Sequence, residues 1–160
     1  MATPIAQAAI NTFLLVSNGG SPETFNKVAN VGDMTGPTFA AAVVDVTSHS
    51  TGNAWRQKIV TLLDPGTLSF PCFFIPNDSS PTAGTTGHQY LQAIFFNRGL
   101  PTAPQAQADW QLSFPTSPRT VWNFSAWMSK FTMDIKVADV VRAAVDLVLT
   151  GEPAISGVDA

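Results

Sequence analysis

Apolar positions along this chain recur mostly at every second residue, in short runs broken by glycine, proline and asparagine. Alternation of that kind turns one side of a strand towards a core and the other towards solvent. Residues 12–17 predict a first strand, closed by the turn-forming Asn18-Gly19-Gly20; residues 24–31 predict a second, and 38–46, entered through Gly36-Pro37, a third. Asp64-Pro65-Gly66 is a turn, and the strand after it, 67–75, carries Leu68, Phe70, Cys72 and Phe74 on one face. Pro71 has no N–H for a ladder, so that strand belongs at a sheet edge or at a bulge. Residues 109–114 put Trp110, Leu112 and Phe114 on one side. The two longest strands are 121–133 and 137–149, parted by Asp134-Ile135-Lys136. In the second, Val141, Ala143, Val145, Leu147 and Leu149 share a face opposite Arg142 and Asp146. Helical spacing also exists over 137–147, but the valines and the hairpin-length gap favour strand.

One stretch has a helical period. Over 87–98, Tyr90, Leu91, Ile94 and Phe95 form a single stripe, and Gly99 and Pro101 stop it. A strand through Ile94-Phe95-Phe96 is the alternative. The Ser/Pro/Thr/Gly-rich 76–87 and the segment 104–108 read as loops, while 1–9 and the tail after Thr150, above all 156–160, read as loose. Together these elements predict one mainly β domain over 1–160, with its core at about 10–155. Its architecture is an antiparallel β-sandwich or barrel of seven or eight strands with one flanking α-helix.

Composition sharpens this picture. Charged residues are 12% of the chain, about half the usual share, while apolar residues are 45%. A surface with so little charge suits a subunit whose flanks are covered by neighbours. A net charge of −3 is unlike a protein that grips nucleic acid. Cys72 is the single cysteine, so no intrachain disulfide is expected. Neither a signal peptide nor a membrane-spanning run is evident, so no membrane binding is expected.

The inventory for catalysis is thin. His49 and His88 have no metal-spaced partners and read as solvated loop residues; no metal or cofactor is expected. Cys72 with His88 could be imagined as nucleophile and base, but Cys72 sits in an apolar alternation where a thiol acts as a small hydrophobe. Ser48-His49-Ser50 beside Asp45 suggests a triad only superficially, because triads are assembled in space. No enzyme activity is expected. Trp55, Trp110, Trp122 and Trp127 could form a carbohydrate platform, though core or interface roles are commoner for tryptophan.

The stretch 47–63 stands out. Read as a loop, it is long for a hairpin connection, and it carries Arg56 and Lys58 with no acid, a charge of +2 that leaves −5 on the rest. It also holds Trp55, Ile59, Val60, Leu62 and Leu63, an apolar load that wants a partner surface, with His49 near its start.

The ordered set of Phe25 to Val31, Asp45-Val46-Thr47-Ser48-His49-Ser50 with Trp55-Arg56, and Asp64-Pro65-Gly66-Thr67-Leu68-Ser69-Phe70 resembles the tail tube (major tail) proteins of lambda-like long-tailed phages. The helix ending at Gly99, the strands at 110–114 and 122–127, and Leu149-Thr150-Gly151-Glu152-Pro153-Ala154-Ile155 complete the resemblance, which spans about 10–155. It implies a β-sandwich with one flanking helix, six copies to a ring, and rings stacked into a hollow tube of the virion tail, assembled in the host cytoplasm. The implied partners are further copies of the chain, a tape-measure protein in the lumen, and tail terminator and distal tail proteins. Genomic DNA would pass through without specific binding. Here 99–108 is longer and 19–24 shorter than the family suggests, and no additional immunoglobulin-like domain is expected. The stretch 47–63, with His49, Trp55, Arg56, Lys58, Ile59, Val60, Leu62 and Leu63, becomes the expected contact between subunits or rings. Asn123, Ser125, Ser129, Arg142 and Asp146 become the expected lumen-facing residues.

Overall fold

The computed structural model describes residues 10–19, 22–28, 30–50, 52, 54–75, 85–86, 88–96, 107–116 and 118–157. The strands are β1 (Phe13–Ser17), β2 (Phe25–Val28), β3 (Ala40–Asp45), β4 (Lys58–Asp64), β5 (Thr67–Phe73), β6 (Thr85–Thr86), β7 (Gln107–Ser113), β8 (Thr120–Asp134) and β9 (Arg142–Gly157); the helix α1 is His88–Phe96. Seven strands form one sheet in the order β5-β9-β8-β7-β1-β2-β6, and β3 and β4 form a separate hairpin. All pairings are antiparallel except the short β2–β6 contact.

The sheet is rolled. Flat, its β5 and β2 would lie about 24 Å apart, five strand spacings of ~4.8 Å. Yet the residues directly after β2 pair with β5: Gly32 N–H donates to the Pro71 carbonyl at 2.8 Å, and Thr35 and Ser69 exchange backbone bonds of 2.8 and 2.9 Å. Phe73 N–H reaches the Asn30 carbonyl at 3.1 Å. Two residues of chain span at most ~7 Å, so the sheet must curl until its ends nearly meet. Segment 30–35 is the stitch that closes it.

That stitch also explains Pro71. Even-numbered residues of β5 face the core, while Ser69 and Phe73 donate outwards to the stitch. Pro71 has the same parity as those two, so its missing N–H falls on the stitch side and not in the ladder with β9, and its carbonyl still accepts from Gly32. The edge position read from the sequence is what the sheet order shows.

Inside the roll, Leu14, Val16, Leu68, Phe70, Trp110, Leu112, Phe124, Ala126, Met128, Val145, Leu147 and Leu149 make one core with Leu91 and Ile94 of α1. The helix is therefore a plug for the sheet's concave side. Tyr90 ties it to β1 by donating to the Ser17 carbonyl at 3.1 Å, and His88 ties it to the end of the β5 segment by accepting the Ile75 N–H on Nδ1 at 2.8 Å.

Several boundaries differ from the sequence reading, each for a physical reason. The second strand stops at Val28 because the chain leaves for β5. Residues 58–63, read as loop, are β4: their apolar side chains lack alternation because neither face is buried. Within 76–87, Thr85–Thr86 pair with β2, and Ala108 belongs to β7; the rest of 76–87, and 97–106 with both helix-stop residues, lie outside the described residues. The last strand starts at Arg142 and not 137, and it runs on to Gly157. Gly151 and Pro153 do not end it, because Asn123 pairs with Ala154 and Ser125 with Thr150, so residues 151–153 bulge opposite Phe124. Residues 1–9 and 158–160 lie outside the described residues. The outcome is an antiparallel β-barrel-like fold with one flanking helix, with nine strands among the described residues instead of seven or eight.

The β3–β4 hairpin is the outer half of a longer one. Its root is the stitch paired with β5, and its outer half leaves the barrel between Thr35 and Thr67. Two glycines make that junction possible. Gly36 (φ +99°) and Gly66 (φ +74°) are left-handed, and a Cβ on either would overlap a carbonyl oxygen, that of Thr67 or of Thr38. Gly66→Ala is expected to cost on the order of 3 kcal/mol in chemical denaturation. Gly52→Ala, where the space is open, is expected to stay within ~0.5 kcal/mol; equal effects would mean the junction is not tightly packed.

Candidate functional site

The hairpin is where the molecule departs from the rules of a stable monomer. Every residue of β3 and β4 is exposed. Leu62 and Leu63 are 76% and 78% exposed, Val60 60% and Trp55 80%, with Val43, Val44 and Ile59 about half exposed. The two strands contact each other and little else. An isolated two-stranded hairpin is marginal in water, and this one has no buried face of its own.

Its distal end is ordered by local bonds. The Thr47 hydroxyl and N–H both donate to Asp45 Oδ1, at 2.6 and 2.9 Å, and hold that carboxyl below its ordinary range. Thr47 Oγ1 in turn accepts the Gln57 N–H at 2.9 Å, and Val46 N–H donates to the Gln57 carbonyl at 2.8 Å. Arg56 stands 3.8 Å from Asp45, an exposed and weak pair. Arg56 and Lys58 thus lie at the far end of the arm with Trp55 and His49, while Ile59, Val60, Leu62 and Leu63 run along β4. The sequence reading singled out the returning strand and missed the outgoing one. The unbroken Ala40-Ala41-Ala42-Val43-Val44, apolar on both faces, was the available signal.

A second surface is the outer face of β5, β9, β8 and β7. Asn123, Ser125, Ser129, Arg142 and Asp146 all lie on it, because their neighbours Phe124, Ala126, Met128, Ala143, Val145 and Leu147 point inwards. Ser129 Oγ donates to the Asp146 carbonyl at 3.2 Å and Ser125 Oγ to Asp109. A bulge between Met128 and Lys130 flips the parity of β8, so Lys130, Thr132 and Asp134 join the same face, with Lys130 paired opposite Asp146. Simple alternation places Lys130 inwards, which is why the sequence reading missed it. This face is mixed: Lys130 and Arg142 stand against Asp109, Asp134 and Asp146, and Trp127, Val148 and Phe73 are partly exposed among them.

The catalytic candidates dissolve into structural roles. Cys72 is buried in the barrel, and burial pushes its thiol up to about 11. His88 is not a solvated loop residue: it is fully buried at the start of α1, stacked on Phe74. Ser48 and Ser50 bond each other at 2.8 Å, and the Asp45 carboxylate is occupied by Thr47. Trp110 is buried in the core, and Trp122 packs against Phe39 and Phe114, so these two offer no open sugar platform. No group of three or more His, Cys, Asp or Glu side chains stands together as a metal site among the described residues. No helix among them is long and apolar enough to cross a membrane.

No protein-family model and no curated protein sequence matches the chain. Solved structures do. A chain from the tail of an empty gene transfer agent particle, determined with C6 symmetry, superposes with TM-score 0.69 at 16% identity, over 95% of this chain and 100% of that one. A chain from the virion of a native gene transfer agent particle gives 0.67 at 15% identity, with the same coverage. A chain from the six-fold symmetrised baseplate of the anti-feeding prophage gives 0.63 at 15% identity, over the full length of both. The fold is shared across all three.

The Cys72 environment sets one expectation. At pH 8 a thiol titrating near 11 is about 0.1% thiolate, roughly a hundredfold less than an ordinary one. Native protein should resist iodoacetamide for hours and react at once in denaturant. Rapid native labelling would contradict a closed barrel.

Proposed function

We propose that this chain is the repeating subunit of a phage-type tail tube, in which six copies form a ring, rings stack through their arms, and the outer face of β5–β9–β8–β7 lines a channel for DNA. The observation that carries the reading is the arm, a two-stranded hairpin with apolar side chains exposed on both faces and rooted in a closed body. The symmetric tail and baseplate assemblies that contain the same fold support it. So does the chain's 12% charged content.

Magnitudes favour many copies acting together. Burying a large aliphatic side chain is worth roughly 1.5–3 kcal/mol, so the half- to three-quarters-exposed Val43, Val44, Ile59, Val60, Leu62 and Leu63 offer on the order of 5–10 kcal/mol per arm. Bringing two free subunits together costs about 4–15 kcal/mol. One arm alone is marginal. Six arms engaging at once are not, because after the first the rest bind at high effective concentration. Free subunits therefore stay apart until a ring or an initiating complex presents several sites.

The channel face fits transit. Mixed, nearly balanced charge on this face gives DNA no basic track, and each phosphate contact would add drag at every ring. In this reading a tape-measure protein occupies the lumen during assembly in the host cytoplasm. Terminator and distal tail proteins cap the ends, and the finished tube belongs to the virion tail. The baseplate likeness favours one second reading, a tube component of a contractile injection system, which the neighbouring genes would separate from a phage tail.

Two outcomes are expected. Replacing residues 48–56 with a short Gly-Ser turn should leave circular dichroism and thermal melting nearly unchanged while abolishing tubes in electron micrographs; normal tubes would make the arm a bystander. Assembled tubes should show no tight binding of duplex DNA in filter or sedimentation assays at physiological salt, and tight binding would contradict the assignment of the channel face.

A further inference from the structure

The arm needs a receiving surface, and the barrel has one at the arm's own root. A groove of about 670 Å³ lies between the proximal hairpin and the bulge in β9. It is lined by the apolar Phe39, Leu63, Pro65 and Pro153 and by two carboxylates, Asp64 and Glu152. Its walls are fixed: Phe39 packs on Trp122 at 5.8 Å, Asp64 Oδ1 accepts the Gly66 N–H at 2.8 Å, and Leu149 N–H donates to the Gly66 carbonyl at 3.0 Å.

We propose that this groove receives the Trp55–Arg56 end of the arm of a second copy of the chain, so that arm and groove form one head-to-tail joint. The proposal rests on the tail-tube reading and names the partner surface of its arm. Charge complementarity supports it: the distal arm offers Arg56 and Lys58 against its single acid Asp45, a net positive end, and the groove offers Asp64 and Glu152. Shape and chemistry agree, since an apolar groove with an acidic lining suits a tryptophan followed by an arginine, two of the residue types enriched at interface hot spots. The occupant must come from another copy. Ala40 to Val46 spans six residue steps of extended chain, about 20 Å at ~3.3 Å each, and Trp55 lies beyond that span, so the arm cannot fold back onto its own root. A contact between two different surfaces of one chain propagates instead of closing on a dimer, which is the symmetry a stacked tube requires.

Reciprocal charge reversal tests the joint. Arg56→Glu and Glu152→Arg should each raise the protein concentration needed for tube formation at least roughly tenfold. The double variant should recover most of the loss, with folding monitored by circular dichroism throughout. Independently, a chain carrying both Ala54→Cys and Ala41→Cys should give a ladder of disulfide-linked multimers under mild oxidation. These positions are too far apart within one copy to bridge, as a disulfide needs Cα atoms within ~7 Å, and Cys72 is buried. Single reversals that weaken assembly without mutual rescue overturn the pairing. So do normal tubes in both reversals with no ladder, an outcome that places the arm elsewhere and leaves the tail-tube reading standing. Wild-type protein that forms neither tubes nor, as the double-cysteine variant, a ladder overturns both.

Discussion

Closure of the main sheet by the segment after β2 is the constraint on which the rest of the structure depends. An open seven-stranded sheet would leave apolar side chains on a wide concave face and unpaired backbone at β5. Pairing residues 30–35 with β5 curls the sheet, buries that face around Phe70, Trp110 and Leu147, and leaves α1 to fill what remains. The body then meets its own hydrophobic demand, although the buried Trp110 Nε1–H has no hydrogen-bond partner among the described residues. Of the exposed large apolar side chains among the described residues, about half sit on the hairpin that the same stitch projects outwards and on its root.

That rooting matters mechanically. Because the arm continues the ladder between the stitch and β5, it leaves the barrel as an extension of the wall and not as a tethered loop. The glycines at 36 and 66 let the backbones pass at close range, so the direction of exit is set by covalent and packing geometry. A contact element with a fixed direction loses less freedom on binding than a floppy one. The same logic links the outer face of β7, β8 and β9 to the core. Each outward Ser, Thr, Lys or Asp on β8 and β9 is held in register by an inward neighbour, so that face is as rigid as the barrel.

Much of this was legible in the sequence, and the failures share a cause. Alternation located β1, β5, β7, β8 and the core face of β9, the 87–98 stripe located α1, and Pro71 foretold an edge. What alternation cannot report is a strand with no buried face, so β4 looked like a loop and β3 hid its role. Bulges were equally opaque: the parity flip at Lys130 and the excursion at Gly151-Glu152-Pro153 depend on which residue sits opposite, a fact of pairing and not of composition. The groove at the arm's root unites residues 39, 63–65 and 151–153, which only closure of the barrel brings together. The five outward residues expected at a channel share one face, and the residues expected to make contacts lie on a paired hairpin and its tip in place of a loop.

The most direct measurement is a cryo-electron microscopy reconstruction of the assembled protein. The account predicts six subunits per ring, the face bearing Ser125, Lys130 and Arg142 turned to the channel, and the β3–β4 arm buried against the adjacent ring. A reconstruction with the arm free in solvent, or with that face on the outside of the tube, would contradict it.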